Sequence, residues 1–134
     1  MAKSSVPMAS VIALMTAAGA AIVSVLTEPE RFDGELAHLV RASKALRAHG
    51  VPTMRKDFLV DPYQVLEARA AGAGGILLIV RMLERPVLDA LLATAASHGL
   101  FVLLEAFDTA DITVATELAS AWQGRPDDCL VGVN

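Results

Sequence analysis

A single cysteine, Cys129, leaves no possibility of an internal disulfide, so packing alone must hold this 134-residue chain together. No Cys/His cluster has metal-site spacing, and no metal is expected. His38, His49 and His98 are scattered and lack a visible catalytic partner, so each is assigned a surface or helix-capping role. Aromatic residues are scarce, with four Phe, one Trp and one Tyr. Eleven basic residues stand against fifteen acidic ones for a formal net charge of −4, with no basic stripe interleaved with aromatics. No nucleic-acid partner is expected. A long hydrophobic run is also missing. The candidate "VIALMTAAGAAIVSVL", which follows Lys3, imitates a signal peptide but is short for a membrane span. Gly19 divides it into a helix-like half and a β-branched half, as a helix, turn and strand would. A cytoplasmic protein without a membrane partner is the expectation.

Aliphatic residues are abundant instead. Hydrophobic residues make up 54% without counting glycine, above the roughly 45–50% that usually includes it. Ala, Leu and Val carry the excess, which suits parallel strands buried beneath Ala-rich helices. It also implies more apolar surface than one small domain hides. Residues 1–134 are expected to form a single domain.

Apolar β-rich runs start at residues 21 ("AIVSVL"), 51 ("VPTM"), 75 ("GILLIV"), 100 ("LFVLLE") and 129 ("CLVGVN"), 30, 24, 25 and 29 residues apart. Helix-like segments separate them: "GELAHLVRASKALRAHG", "DPYQVLEARAAGAGG", "ERPVLDALLATAASHG" and "TADITVATELASAW". Another helix, roughly residues 8–18, precedes the first run. Asp61-Pro62 has the form of an N-cap with proline in the first turn. Such alternation predicts βα units on a parallel sheet. The period approaches the ~31 residues per unit of an eight-unit barrel, so the expected fold is α/β, a partial TIM (β/α)8-type barrel of about five strands, not closed on its own. A five-stranded doubly wound sheet is the length-matched rival. "GAGG" at 72–75 follows a helix and precedes a strand, the reverse of a phosphate loop, and predicts an ordinary turn.

In parallel βα folds, ligands gather at the carboxyl ends of strands. The second run ends with Lys56, in phase with Pro52 and Met54; the fourth ends with Glu105, in phase with Phe101 and Leu103. Asn134 ends the fifth, and Arg81 follows the third. Lysine, glutamate and asparagine on one face could supply an acid, a base and a neutral hydrogen-bonding group. The same residues could also simply mark where strands reach solvent.

The stretch "RKDFLVDPYQVLEARAAGAGGILLIV" resembles the indole-3-glycerol phosphate synthase family, the barrel lyases of tryptophan biosynthesis. "GAAIVSVLTEPERFDG", "LLEAFD" and "LVGVN" extend the resemblance from about residue 19 to residue 134. It implies closure of an indole ring on 1-(o-carboxyphenylamino)-1-deoxyribulose 5-phosphate, a phosphorylated small molecule, with release of carbon dioxide and water. It implies Lys56 as the general acid in ring closure and Glu105 as the general base in dehydration. Asn134 would bind substrate, Phe32, Phe58 and Leu77 would line the slot for the anthranilate ring, and no cofactor is implied.

The family pattern also has an earlier strand with a Glu-x-Lys pair, followed by a serine before proline. Lys3, as a substrate-binding lysine, and Pro7 can be laid on it, but Met1 and Val6 stand where the glutamate and serine belong. An arginine expected soon after Asn134, and two further strands whose loops bind phosphate, lie outside the 134 residues. Phosphate is therefore expected to bind weakly, with Lys3 and Arg81 as the nearest cations. An open sheet predicts a homodimer or higher oligomer that buries the strand regions 76–80 and 100–104. The alternative to an active lyase is a catalytically weak or silent barrel fragment acting through self-association or complementation by a partner chain.

Overall fold

A computed structural model describes residues 8–134. Helix α1 (Met8–Ala17) is followed by β1 (Val23–Leu26), a short α2 (Pro29–Phe32), α3 (Leu36–Arg47), β2 (Thr53–Lys56), α4 (Pro62–Ala70) and β3 (Gly75–Ile79). A 3₁₀ turn at Val80–Met82, α5 (Arg85–Ser97), β4 (Phe101–Ala106), α6 (Thr109–Ser120) and β5 (Cys129–Val133) complete it. The apolar run near the start is thus a ten-residue helix and a strand, divided at Gly19 with φ +81°. No described helix is long and apolar enough to cross a membrane.

All five strands are parallel and lie in the order β1-β2-β3-β4-β5. A doubly wound sheet reverses direction at a switch point, so this sequential order excludes that rival. Each crossover instead steps the same way around, as in a (β/α) barrel, and among the described residues β1 and β5 are the outer strands. The sheet is an unclosed portion of a TIM-type barrel.

Alternation along the strands separates the two faces. Val102, Leu104 and Ala106 of β4 are fully buried under helices, whereas Phe101, Leu103 and Glu105 on the other face are only half-buried. Helices present one apolar stripe each: Leu39, Ala42 and Leu46 of α3, Val65 and Ala68 of α4, Leu88, Leu91, Leu92 and Ala95 of α5, Ala115 and Leu118 of α6. That three-to-four spacing packs most of them with Ile76, Leu78, Val102 and Leu104, whereas Leu46 joins Ile12 and Val23 in a smaller cluster at the β1 end. Each buried leucine contributes about 1.5–3 kcal/mol relative to exposure. The core therefore lies mainly on the helix side of the sheet; on the face that would line a barrel interior only the side chains of Met54 and Leu77 are buried, and the rest of that face is partly open.

The second strand starts later than its apolar run suggested. Val51 and Pro52 precede it, and it runs through Arg55 into Lys56. Parallel pairing explains the shift: Thr53 through Lys56 register with Val23 through Leu26, while Pro52 lacks an N–H to donate. "GAGG" is a helix-to-strand turn, with Gly72 at φ +94° closing α4. A strand before residue 8 falls outside the described residues.

Candidate active site

Register sets the depth of each side chain on the open face. Leu26 pairs with Lys56, Leu77 with Leu103, and Leu103 with Leu130, forming one layer. Ile79, Glu105 and Gly132 form the next layer towards the carboxyl ends. The Lys56 backbone thus lies two residues, roughly 6.6 Å, below that of Glu105. Its long side chain reaches upward into the same mouth.

Two adjoining hollows share Lys56, Leu77 and Glu105. One, of about 260 Å³, is bounded also by Ser24, Met54, Leu103, Gly132 and Asn134. The other, of about 200 Å³, is bounded by Leu26, Glu28, Phe32, Asp57, Phe58 and Ile79. Six of the seven residues expected from the sequence therefore meet: Lys56, Glu105, Asn134, Leu77, Phe32 and Phe58. Lys3 lies outside the described residues. Asn134 donates from Nδ2 to Glu105 Oε1 at 2.7 Å, and its backbone N–H donates to Ala106 O at 2.9 Å. The ladder thus fixes the asparagine, which in turn orients the carboxylate. Gly132 keeps the space beside Glu105 open, since an added Cβ would stand 3.2 Å from Leu103 Cδ1.

The aromatic wall is held by loops that bond to themselves. Glu28 is buried and its carboxylate accepts from the backbone N–H groups of Glu30, Arg31 and Phe32 at 2.9, 2.7 and 3.1 Å, capping α2. Phe32 thereby faces Phe58, with ring centroids 6.5 Å apart at 37°. The Arg31 guanidinium lies 5.8 Å from the Phe58 centroid. On the other side, Asp61 caps α4 through the Tyr63 N–H at 2.8 Å. Gln64 completes a capping box, accepting from Val60 and Asp61 N–H and donating to Phe58 O.

Arg81 is not the free cation its position suggested. Strand β3 ends at Ile79 and the 3₁₀ turn carries Arg81 towards α6. There it donates to Asp111 Oδ2 at 3.0 Å and Asp108 Oδ2 at 2.9 Å, and its guanidinium lies 4.5 Å from the Phe107 ring centroid. The Phe107 N–H and Arg81 hold the Asp111 carboxyl below the usual carboxylate range, despite opposing burial. Cys129 is half-buried, and desolvation pushes its thiol up, away from the reactive thiolate form. Among the described residues, no group of three or more His, Cys, Asp or Glu side chains is arranged to hold a metal ion.

Glu28, Ile79, Thr27 and Asp57 were missed as parts of this region. Period-two phase could have found Ile79, which alternates with Leu77. The roles of Thr27, Glu28 and Asp57 depend on contacts between loops, for which a single sequence carries no signal.

Over residues 2–134 the chain matches the family described as indole-3-glycerol phosphate synthase. The chain belongs to that family. It is 45% identical over 116 residues to an indole-3-glycerol phosphate synthase of Aromatoleum aromaticum, covering 87% of this chain and 40% of that protein. It is 44% identical over 126 residues to one of Parafrankia sp., covering 94% of this chain and 43% of that protein. The chain spans about two-fifths of the length of these curated relatives. A solved dihydropteroate synthase of Xanthomonas albilineans superposes with a TM-score of 0.60 at 22% identity, covering 92% of this chain and 52% of that one, a likeness of fold alone. Within an indole-3-glycerol phosphate synthase chain, the convergence of Lys56, Glu105 and Asn134 has an immediate chemical reading.

Proposed function

We propose that this chain carries the acid–base part of an indole-3-glycerol phosphate synthase site. The substrate would be 1-(o-carboxyphenylamino)-1-deoxyribulose 5-phosphate. Ring closure forms a bond between the carboxylate-bearing carbon of the aryl ring and the ketone carbon. The Lys56 ammonium protonates the ketone oxygen as that bond forms, so charge does not accumulate on it. Loss of carbon dioxide restores the aromatic ring, and Glu105 accepts a proton as water leaves. Asn134 holds Glu105 in orientation and offers a neutral contact to substrate. Phe32, Phe58 and Leu77 give the aryl group an apolar slot, and Lys3 is assigned to substrate binding. The observation that carries this reading is the meeting of Lys56 and Glu105 at the mouth of the same two hollows, with Asn134 bonded to Glu105. Indole-glycerol phosphate formation by the 134-residue chain, measured beside Lys56→Ala, tests it. Product formation by the parent alone supports the reading; equal rates for both proteins overturn it.

The open sheet favours a second reading, in which the five strands act through self-association or with a complementing chain. Leu130 and Val131 are each 41% exposed and Val133 is 70% exposed. An incomplete wall also admits water, which weakens electrostatic contacts at Lys56 and Glu105. Product formation that appears only when a chain supplying further strands is added would select this reading.

A further inference from the structure

Behind the candidate site, one row across the helix-facing side of the sheet contains Val25, Arg55, Ile76 and Val102. Three are aliphatic; the fourth is an arginine whose side chain is only 7% exposed. Burying a guanidinium costs several kcal/mol of desolvation, and an aliphatic residue there would often stabilise as well or better. Arg55 does supply something an aliphatic residue lacks, which is direction. Its Nε donates to Thr27 Oγ1 at 3.0 Å, and its Nη2 to Asp57 Oδ2 at 3.3 Å. Its Nη1 donates to Gln64 O at 2.9 Å and Glu67 Oε1 at 3.2 Å, anchoring the group on α4. The Thr27 hydroxyl donates in turn to Asp57 Oδ2 at 2.6 Å, and Asp57 Oδ1 accepts from the Phe58 N–H at 2.7 Å.

We propose that Thr27, Arg55 and Asp57 form a polar clamp that positions Lys56, Phe58 and Phe32, a role that rests on the reading of Lys56 as the acid. Thr27 ends the β1 side of the clamp and Asp57 the β2 side, so the clamp joins the two strand tips on which the site is built. Glu28 follows Thr27 and caps the helix carrying Phe32; Phe58 follows Asp57 and has its N–H held by it. Lys56 sits between two clamped residues. With Arg55 turned towards the helices, strand alternation sends the Lys56 side chain to the opposite, open face. "RKD" is therefore one device, with the lysine presented and its neighbours holding it.

The test removes one hydroxyl. Thr27→Val keeps the shape of the side chain but can neither accept from Arg55 nor donate to Asp57, whereas Thr27→Ser keeps both bonds. Amide hydrogen exchange and ring-to-ring nuclear Overhauser contacts are read on the labelled 134-residue chain, with urea unfolding to confirm that each variant folds. Thr27→Val is expected to speed exchange of the Phe58 N–H about tenfold and weaken the Phe32–Phe58 contact, the scale of one lost hydrogen bond. Thr27→Ser should restore both. Should Thr27→Val fail to fold, Asp57→Asn takes its place, with the same acceleration expected at Phe58. Exchange within about twofold of the parent, or equal losses in Val and Ser variants, overturns the clamp. If the parent forms product, Thr27→Val should also lower kcat about tenfold or more with less change in KM, because misplaced groups slow the chemical step. An unchanged kcat there overturns the positioning role. If Lys56→Ala keeps the parent's turnover, the functional reading fails on its own, and Phe58 exchange still judges the clamp.

Discussion

At the scale of single residues, strand phase makes Lys56 and Glu105 candidates, because alternation and the carboxyl-end rule both act locally, and the family resemblance supplies their roles. Lys56→Ala should remove at least ~10²-fold of any synthase turnover, a usual contribution for a general acid. A stopped assay for indole-glycerol phosphate measures this, and an alanine variant as active as the parent would withdraw the assignment. Glu105→Gln keeps the acceptor for Asn134 Nδ2 but loses proton transfer, so kcat should fall more than substrate affinity. Asp111 allows a pH test. Its folded-state pKa is lowered, chiefly by the Phe107 N–H. The stability it contributes is therefore present above the ordinary carboxylate value and is lost as pH falls through the folded value. The urea midpoint of Asp111→Asn should lie below the parent's at about pH 6, and the gap should narrow as pH falls past the ordinary carboxylate range. A constant gap would mean the charge contributes nothing. The partners of Arg81 were not legible in the sequence, because Asp108 and Asp111 lie 27 and 30 residues away.

Among the elements, the helices and strands followed from periodicity, and the Asp61 cap was legible from the residue pair itself. Asp61→Ala should cost about 1 kcal/mol in urea unfolding, a typical value for a lost N-cap. A loss confined to a few tenths would indicate that the Gln64 bonds suffice without it. Helix α2 is not legible in the sequence, since four residues carry no helical period. What makes it a helix is the Glu28 cap, which satisfies three N–H groups at once, together with proline in the first turn. Gly34 closes the same loop. Its N–H donates to Glu28 O at 2.8 Å, and an added Cβ would run into the backbone of Leu26 and Thr27. Gly34→Ala must push backbone against backbone, so a loss of about 1–3 kcal/mol is expected, as for overpacking elsewhere. Denaturation at unchanged stability would show that the loop yields freely.

For the whole molecule, the question is what covers the open side. We propose that a second copy does. Leu26 at 36% and Leu130 at 41% exposure lie on the open face of the two outer strands. Burying a few hundred Å² of such surface would contribute several kcal/mol at about 25 cal/mol per Å². Unpaired edges add hydrogen-bonding groups that template association. Ile76, Leu78, Val102 and Leu104 are already covered by this chain's own helices. Within the regions 76–80 and 100–104, the residues left to meet a second copy are therefore those of the open face, Ile79, Phe101 and Leu103. Light scattering at micromolar concentration should give a dimer mass or more, and Leu130→Lys should shift the protein towards monomer. A stable monomer in the parent would defeat this account.

By itself the sequence determined the alternation of strands and helices, the parallel sheet, the family, and the residues at the strand ends. These are local or periodic properties, written in side-chain spacing and in the chemistry of single positions. Only the tertiary structure decided the sequential strand order, which excludes a doubly wound sheet, and the layer in which each side chain sits. It alone decided that Arg81 is occupied by α6 and that Arg55 is buried against Thr27 and Asp57. Those outcomes depend on register and on bonds between loops some thirty residues apart, where direction and distance, rather than residue type, choose the partner.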